Sequence, residues 1–172
     1  MLKRLMLFLG ALGWMLTCSE RAWAAEPQSP SDYVTQGEVA AAVEGMDPTR
    51  AAVNVLLKTV DAGAYTLAVV VVRRIPEPGI EDEGQAHERI TEVYQILSGS
   101  GAMETGGTQV NTTLVDLRPA VGPTSRGTIV GGKIQTLSPG DTVLILPHTP
   151  HRFSHLNETI VYIALRIEAK TR

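Results

Sequence analysis

From residue 52 onward the chain alternates short apolar runs with turn residues. Runs rich in Val, Ile, Leu, Thr and Tyr cover residues 52–60, 65–73, 91–97, 101–104, 108–117, 127–130, 133–137, 142–146, 151–154 and 159–167. Each is bounded by Gly, Pro, Asp or Asn, as at Asp61-Ala-Gly63, Gly99-Ser-Gly101, Gly106-Gly107, Gly131-Gly132 and Pro139-Gly140-Asp141. β-branched runs punctuated this way predict strands, and many short strands at this spacing predict an all-β sandwich or jelly-roll barrel. Residues 119–126 are rich in Pro, Gly and Ser and predict a surface loop. Before the strands, Thr35-Gln-Gly-Glu38 has the spacing of a capping box, with an apolar run to Val43 and a stop at Gly45. One short helix is expected there, packed by its apolar side chains against the main body.

The first 24 residues have a different pattern. Lys3 and Arg4 precede an apolar run over 5–17, and Ala22-Trp23-Ala24 follows with small residues flanking a bulky one. This is the form of a secretory signal peptide cut near Ala24 or Ala25. The run is shorter than the roughly 20 residues a membrane-spanning helix needs, so no stable insertion is expected after cleavage. The expected organisation is a signal peptide over 1–24, a leader and short helix over 25–50, and one β domain over 51–168. A periplasmic or secreted location follows.

The whole chain has 172 residues, 44% hydrophobic and 19% charged, with a formal net charge of -3. That suits one folded domain with its own core and gives no electrostatic reason to expect a nucleic-acid partner. Cys18, the sole cysteine, lies inside the signal segment. A mature chain without thiols forms no disulfide, and any metal must be held by nitrogen and oxygen donors.

All four histidines fall in two segments. The first contains Gly79, Gln85, His87, Glu92 and Gly99; the second contains Gly140, Leu146, His148, His151 and His155. Gly79, five residues, Gln85-x-His87, four residues, Glu92, six residues and Gly99 resembles the first motif of the cupin superfamily. The second segment is similar to that superfamily's second motif, through its Pro-Gly-Asp turn and the His151-Arg-Phe run. The resemblance covers roughly residues 50–168. It implies a cupin-type double-stranded β-helix and places His87, Glu92 and His151 at metal-ligand positions. Gln85 occupies the place of the family's first metal histidine, His155 that of a closing asparagine, and Leu146, Pro147 and His148 depart from the usual residues before the second-motif histidine.

Strand parity supports the same grouping. Alternating side chains put Glu92, Tyr94 and Ile96 on one face, and His151, Phe153 and His155 on another. If both faces turn inward, two imidazoles and a carboxylate converge, a set suited to non-haem Fe(II) and equally able to hold Mn, Ni, Co or Zn. The amide oxygen of Gln85 is a weaker fourth donor. Tyr94, Gln85 and His148 are the candidate acid, base or substrate-orienting groups, with His148 also a candidate replacement imidazole. His148 and His155 otherwise read as outer groups, and Tyr94, Met103 and Phe153 as core. The resemblance implies a small-molecule ligand or substrate and dioxygenase, isomerase or lyase type chemistry. A non-catalytic binder and a metal-free scaffold remain open alternatives, and a homodimer through a strand edge is implied by resemblance alone.

Overall fold

The computed structural model describes residues 31–76 and 83–170. The segment expected to be a signal peptide and Gly79, which opens the first motif, lie outside these. The elements are α1 (Gln36–Glu44), β1 (Ala52–Ala62), β2 (Tyr65–Arg74), β3 (Gly84–His87), β4 (Ile90–Ser98) and β5 (Gly101–Thr105). They continue with β6 (Thr108–Asp116), β7 (Pro123–Val130), β8 (Lys133–Leu137), β9 (Thr142–Ile145), β10 (His151–Leu156) and β11 (Ile160–Ala169).

Every strand pairing is antiparallel. A five-stranded sheet has the order β1-β2-β11-β4-β9, and a six-stranded sheet the order β6-β7-β3-β10-β5-β8. This is the expected all-β jelly roll with a short helix before it. Its core is formed by alternate residues of both sheets: Val70, Val72, Tyr94, Ile96, Ile160, Tyr162 and Ala164 meet Met103, Leu137, Phe153 and Leu156. In β4 the alternation is kept, with Ile90, Glu92, Tyr94 and Ile96 buried and Gln95 and Leu97 exposed.

α1 begins where the capping box predicts. Thr35 Oγ1 accepts from the Glu38 N–H at 3.2 Å, and Glu38 Oε2 accepts from the Thr35 N–H at 2.6 Å. The expected apolar docking of this helix is partial: it lies against β1 and β2 with Val39, Ala42 and Val43 half-buried, and none of its residues is fully buried. The segment after it is held by a polar tie as well. Met46 is buried, and the Arg73 guanidinium on β2 donates to the carbonyls of Met46, Asp47 and Arg50.

Three further expectations are corrected. Residues 123–126 are not loop but the first half of β7, because their backbone pairs with β3 and β6 despite the Pro/Ser/Gly composition. β3 itself was not expected; at four residues it is too short to show a period. Finally, the register of β10 against β5 shifts between Phe153 and His155. This bulge resets the alternation, so Leu156 is buried and His155 is exposed.

The turn closing the first motif requires glycine. Gly99 has φ +79°, and a Cβ there would lie 2.1 Å from the carbonyl oxygen of Thr159. Gly106 has nearly the same backbone, φ +76°, with open space around it. Gly106→Ala is expected to cost about 1 kcal/mol, the left-handed penalty alone. Gly99→Ala is expected to cost clearly more, because backbone must also move. Urea unfolding of both variants checks this, and equal losses would show that the close approach carries no energy.

Candidate metal centre

Two short strands of one sheet and a central strand of the other bring three donors together. His87 ends β3, His151 begins β10, and Glu92 lies on β4; they are 3%, 2% and 0% exposed. His87 Nε2 is 3.4 Å from Glu92 Oε2, and His151 Nε2 is 3.5 Å from the same oxygen. These are the three residues that the resemblance placed at ligand positions, and one donor atom from each lies within 4.8 Å of the others.

Register explains how each donor is held. Directly across from Glu92 on β11 is Arg166, across from His87 on β7 is Thr124, and across from His151 on β3 is Gln85. Each cross-strand neighbour is also a hydrogen-bond partner. Arg166 Nε donates to Glu92 Oε1 at 2.9 Å. Thr124 Oγ1 lies 2.9 Å from His87 Nδ1. Gln85 Nε2 lies 3.3 Å from His151 Nε2.

These contacts orient the imidazoles. The Thr124 hydroxyl donates to the Gly122 carbonyl at 3.1 Å, so its oxygen accepts from His87 Nδ1–H. His151 Nδ1 is 3.0 Å from the Thr149 carbonyl, which only accepts, so that nitrogen carries hydrogen too. In the neutral rings the Nε2 lone pairs then point at the Glu92 carboxylate. Three electron-rich atoms facing one another suit a cation, and fixing a ligand's tautomer through its second ring nitrogen is what metal-bound histidines require. The donor set therefore fits a divalent ion.

Charge bears this out. Burial, the largest influence on Glu92, opposes ionisation, but its neighbours outweigh it and hold the carboxyl well below its usual range, His87 and His151 contributing only when protonated and Arg166 always. Burial, partly offset by Glu92, pushes His151 down to about 4, leaving it neutral and able to ligate near pH 7.

The other candidates separate by position. Gln85 is half-buried and lines the cleft beside His87 and His151. Its amide nitrogen faces His151; a turn of the amide would present its oxygen instead. Tyr94 is buried, donates to Glu92 Oε2 at 2.7 Å and packs on Tyr162. Burial first, and the adjacent Glu92 next, raise its phenol well above the ordinary value, so it serves as a fixed donor to the carboxylate. His148 has φ +61° and an exposed side chain; its backbone N–H donates to the His87 carbonyl at 2.7 Å. It is not grouped with the three donors, so the structure does not supply it as the replacement imidazole. His155 is turned outward by the bulge. Sequence reading missed Arg166 and Thr124, whose signal lies only in the register.

No protein-family model matches the chain, and no curated protein sequence does. Among solved structures, a cupin 2 conserved barrel domain protein from Rhodopseudomonas palustris is 17% identical, with a TM-score of 0.43 over 74% of this chain and 70% of that one. The cobalt(II) form of HppE in complex with Tris buffer is 18% identical, with a TM-score of 0.44 over 72% of this chain and 57% of that one. The EutQ protein of Clostridium difficile is 11% identical, with a TM-score of 0.42 over 72% and 67%. The chain thus spans little more than half the length of HppE. Its own two antiparallel sheets, with the donors of both motifs brought together between them, make it a protein of the cupin fold.

Proposed function

We propose that this is an exported cupin-fold protein that holds one divalent metal ion on His87, Glu92 and His151 and binds or transforms a small organic molecule beside it. The observation that carries the reading is the convergence of two Nε2 atoms on Glu92 Oε2, at 3.4 and 3.5 Å, with both Nδ1 atoms committed elsewhere. Support also comes from the opening beside it, a cleft of about 1000 Å³ that His87, His151 and Gln85 line. A bound metal would supply Lewis acidity to an oxygen-donor ligand or, as iron, a redox centre, which covers dioxygenase, isomerase and lyase type chemistry. The protein's own part is to aim both imidazoles, through Thr124 and the Thr149 carbonyl, to keep His151 neutral by burying it, and to keep Glu92 ionised, through Arg166 and Tyr94.

One observation favours a second reading, a metal-free binder or scaffold. Glu92 is paired with Arg166 and Tyr94, and His151 with Gln85 and Thr149. Among the described residues only Arg73 Nε is a buried side-chain polar atom without a partner. Much of the cluster's hydrogen bonding is thus met without an ion, His87 Nε2 excepted, and metal content decides between the two readings.

Elemental analysis of protein purified without added metal is expected to give near one equivalent of Fe, Mn, Co, Ni or Zn. The metal should be lost in His151→Ala, and Thr124→Val is expected to weaken binding by roughly 10–100-fold. Metal retained in full by both His87→Ala and His151→Ala would exclude the site.

Acid should release the ion, since ligands must shed protons to bind. It should also destabilise the metal-free protein. His151 titrates near 4 when folded, against 6.5 for the unperturbed side chain. The unfolded chain therefore gains the proton first as pH falls. Stability from this group is complete above about 6.5 and is lost on descent toward 4, and Glu92, also depressed, extends the loss further into acid. Urea midpoints between pH 7 and pH 4 measure the slope, which should be smaller in His151→Gln.

A further inference from the structure

The two histidines of the cluster are not equally free to take an ion. His151 Nδ1 lies 3.0 Å from the Thr149 carbonyl, which only accepts, so the neutral ring carries its hydrogen there and its lone pair on Nε2. The group facing that lone pair is the amide nitrogen of Gln85, at 3.3 Å. An amide nitrogen donates and does not accept, so Gln85 places an N–H on the very atom with which His151 would ligate. Among the described residues this is the one hydrogen bond that the Gln85 side chain makes.

The other two donors are open. Among the described residues no N–H or O–H is set against His87 Nε2, which faces Glu92 Oε2 at 3.4 Å. Glu92 Oε2 accepts the Tyr94 hydroxyl at 2.7 Å, but a carboxylate oxygen has a second lone pair and stays able to ligate. An imidazole nitrogen has only one, and in His151 it is in use.

The fold keeps the amide there and leaves it a way out. Gln85 stands directly across from His151 in the β3–β10 pair and across from Arg126 in the β3–β7 pair, so its backbone is held on both sides. Its side chain is half-buried and lines the cleft of about 1000 Å³ beside the cluster. The amide can leave His151 by turning about its own side-chain bonds, with no movement of β3.

We infer that Gln85 is a gate on the metal site and not a ligand of it: its amide N–H competes with the ion for His151 Nε2, and ligation by His151 requires that amide to rotate into the cleft. The inference rests on the metal reading above. Gln85 then lowers the affinity of the site, because every binding event gives up one hydrogen bond. The net worth of one neutral hydrogen bond corresponds to roughly two- to tenfold in an equilibrium constant. Such a gate keeps the ion exchangeable.

The test is titration of the purified, metal-stripped protein with Co²⁺, followed by visible absorption, in wild type and in Gln85→Leu. Leucine fills about the same space and offers neither the N–H nor an oxygen. Co²⁺ is expected to bind Gln85→Leu roughly two- to tenfold more tightly than wild type. The absorption spectrum of the bound ion should be the same in both, since the ligands and their geometry are unchanged. Gln85→Val, a good strand former, should tighten binding in the same sense and serves if the leucine variant does not fold. Equal or weaker binding in these variants would overturn the gate, as would an altered spectrum, which would make Gln85 itself a ligand. Co²⁺ that binds neither wild type nor variants, or binds equally well to His151→Ala, would instead overturn the metal reading, and the gate with it.

Discussion

Glu92 is the constraint around which the rest of the site is arranged. A carboxylate with no exposure to solvent, set in the middle of an apolar strand, is tolerated only if its charge is answered on every side. Arg166 answers one oxygen and the Tyr94 hydroxyl answers the other, which both Nε2 atoms also face. Removing one partner of such a pair leaves a buried charge uncompensated, which is far worse than never having buried the pair. The neighbouring strands are therefore locked in their present alignment, because a slip of one residue would send Arg166 or Thr124 to the opposite face.

Much of the architecture was legible because it depends on local chemistry. The Thr35–Glu38 box fixed the start of α1, and alternation in β4 separated Glu92, Tyr94 and Ile96 from Gln95 and Leu97. The motif spacing already pointed to His87, Glu92 and His151, the three side chains that the structure brings together. What escaped was non-local. β3 is four residues long and reads as loop until it is seen between β7 and β10. The Pro123–Arg126 stretch is strand because of its partners, not its composition. The bulge that turns His155 outward is equally invisible in a run where His151, Phe153 and His155 keep a perfect period of two.

Arg166 and Thr124 show the same limit more sharply. Neither stands near the histidines in the chain, yet each faces a donor across a strand. Their roles follow from pairing alone, and the donors' tautomers and charge follow from those roles. Tyr94 was read both as core and as a candidate acid or base. The aromatic packing and the Glu92 bond show that it is at once part of the apolar core and the carboxylate's support, with its hydroxyl tied to Glu92.

The three donors do not share a sheet. His87 and His151 stand on the six-stranded sheet and Glu92 on the five-stranded one. The gap between the two layers is thus a gauge for whatever sits between them, and that gap is set by core side chains such as Tyr162, Met103 and Phe153. Swapping one of these for a slimmer or bulkier residue would alter the spacing of the three donors without touching any of them. For the proposed metal ion, selectivity would then be partly a property of the hydrophobic filling.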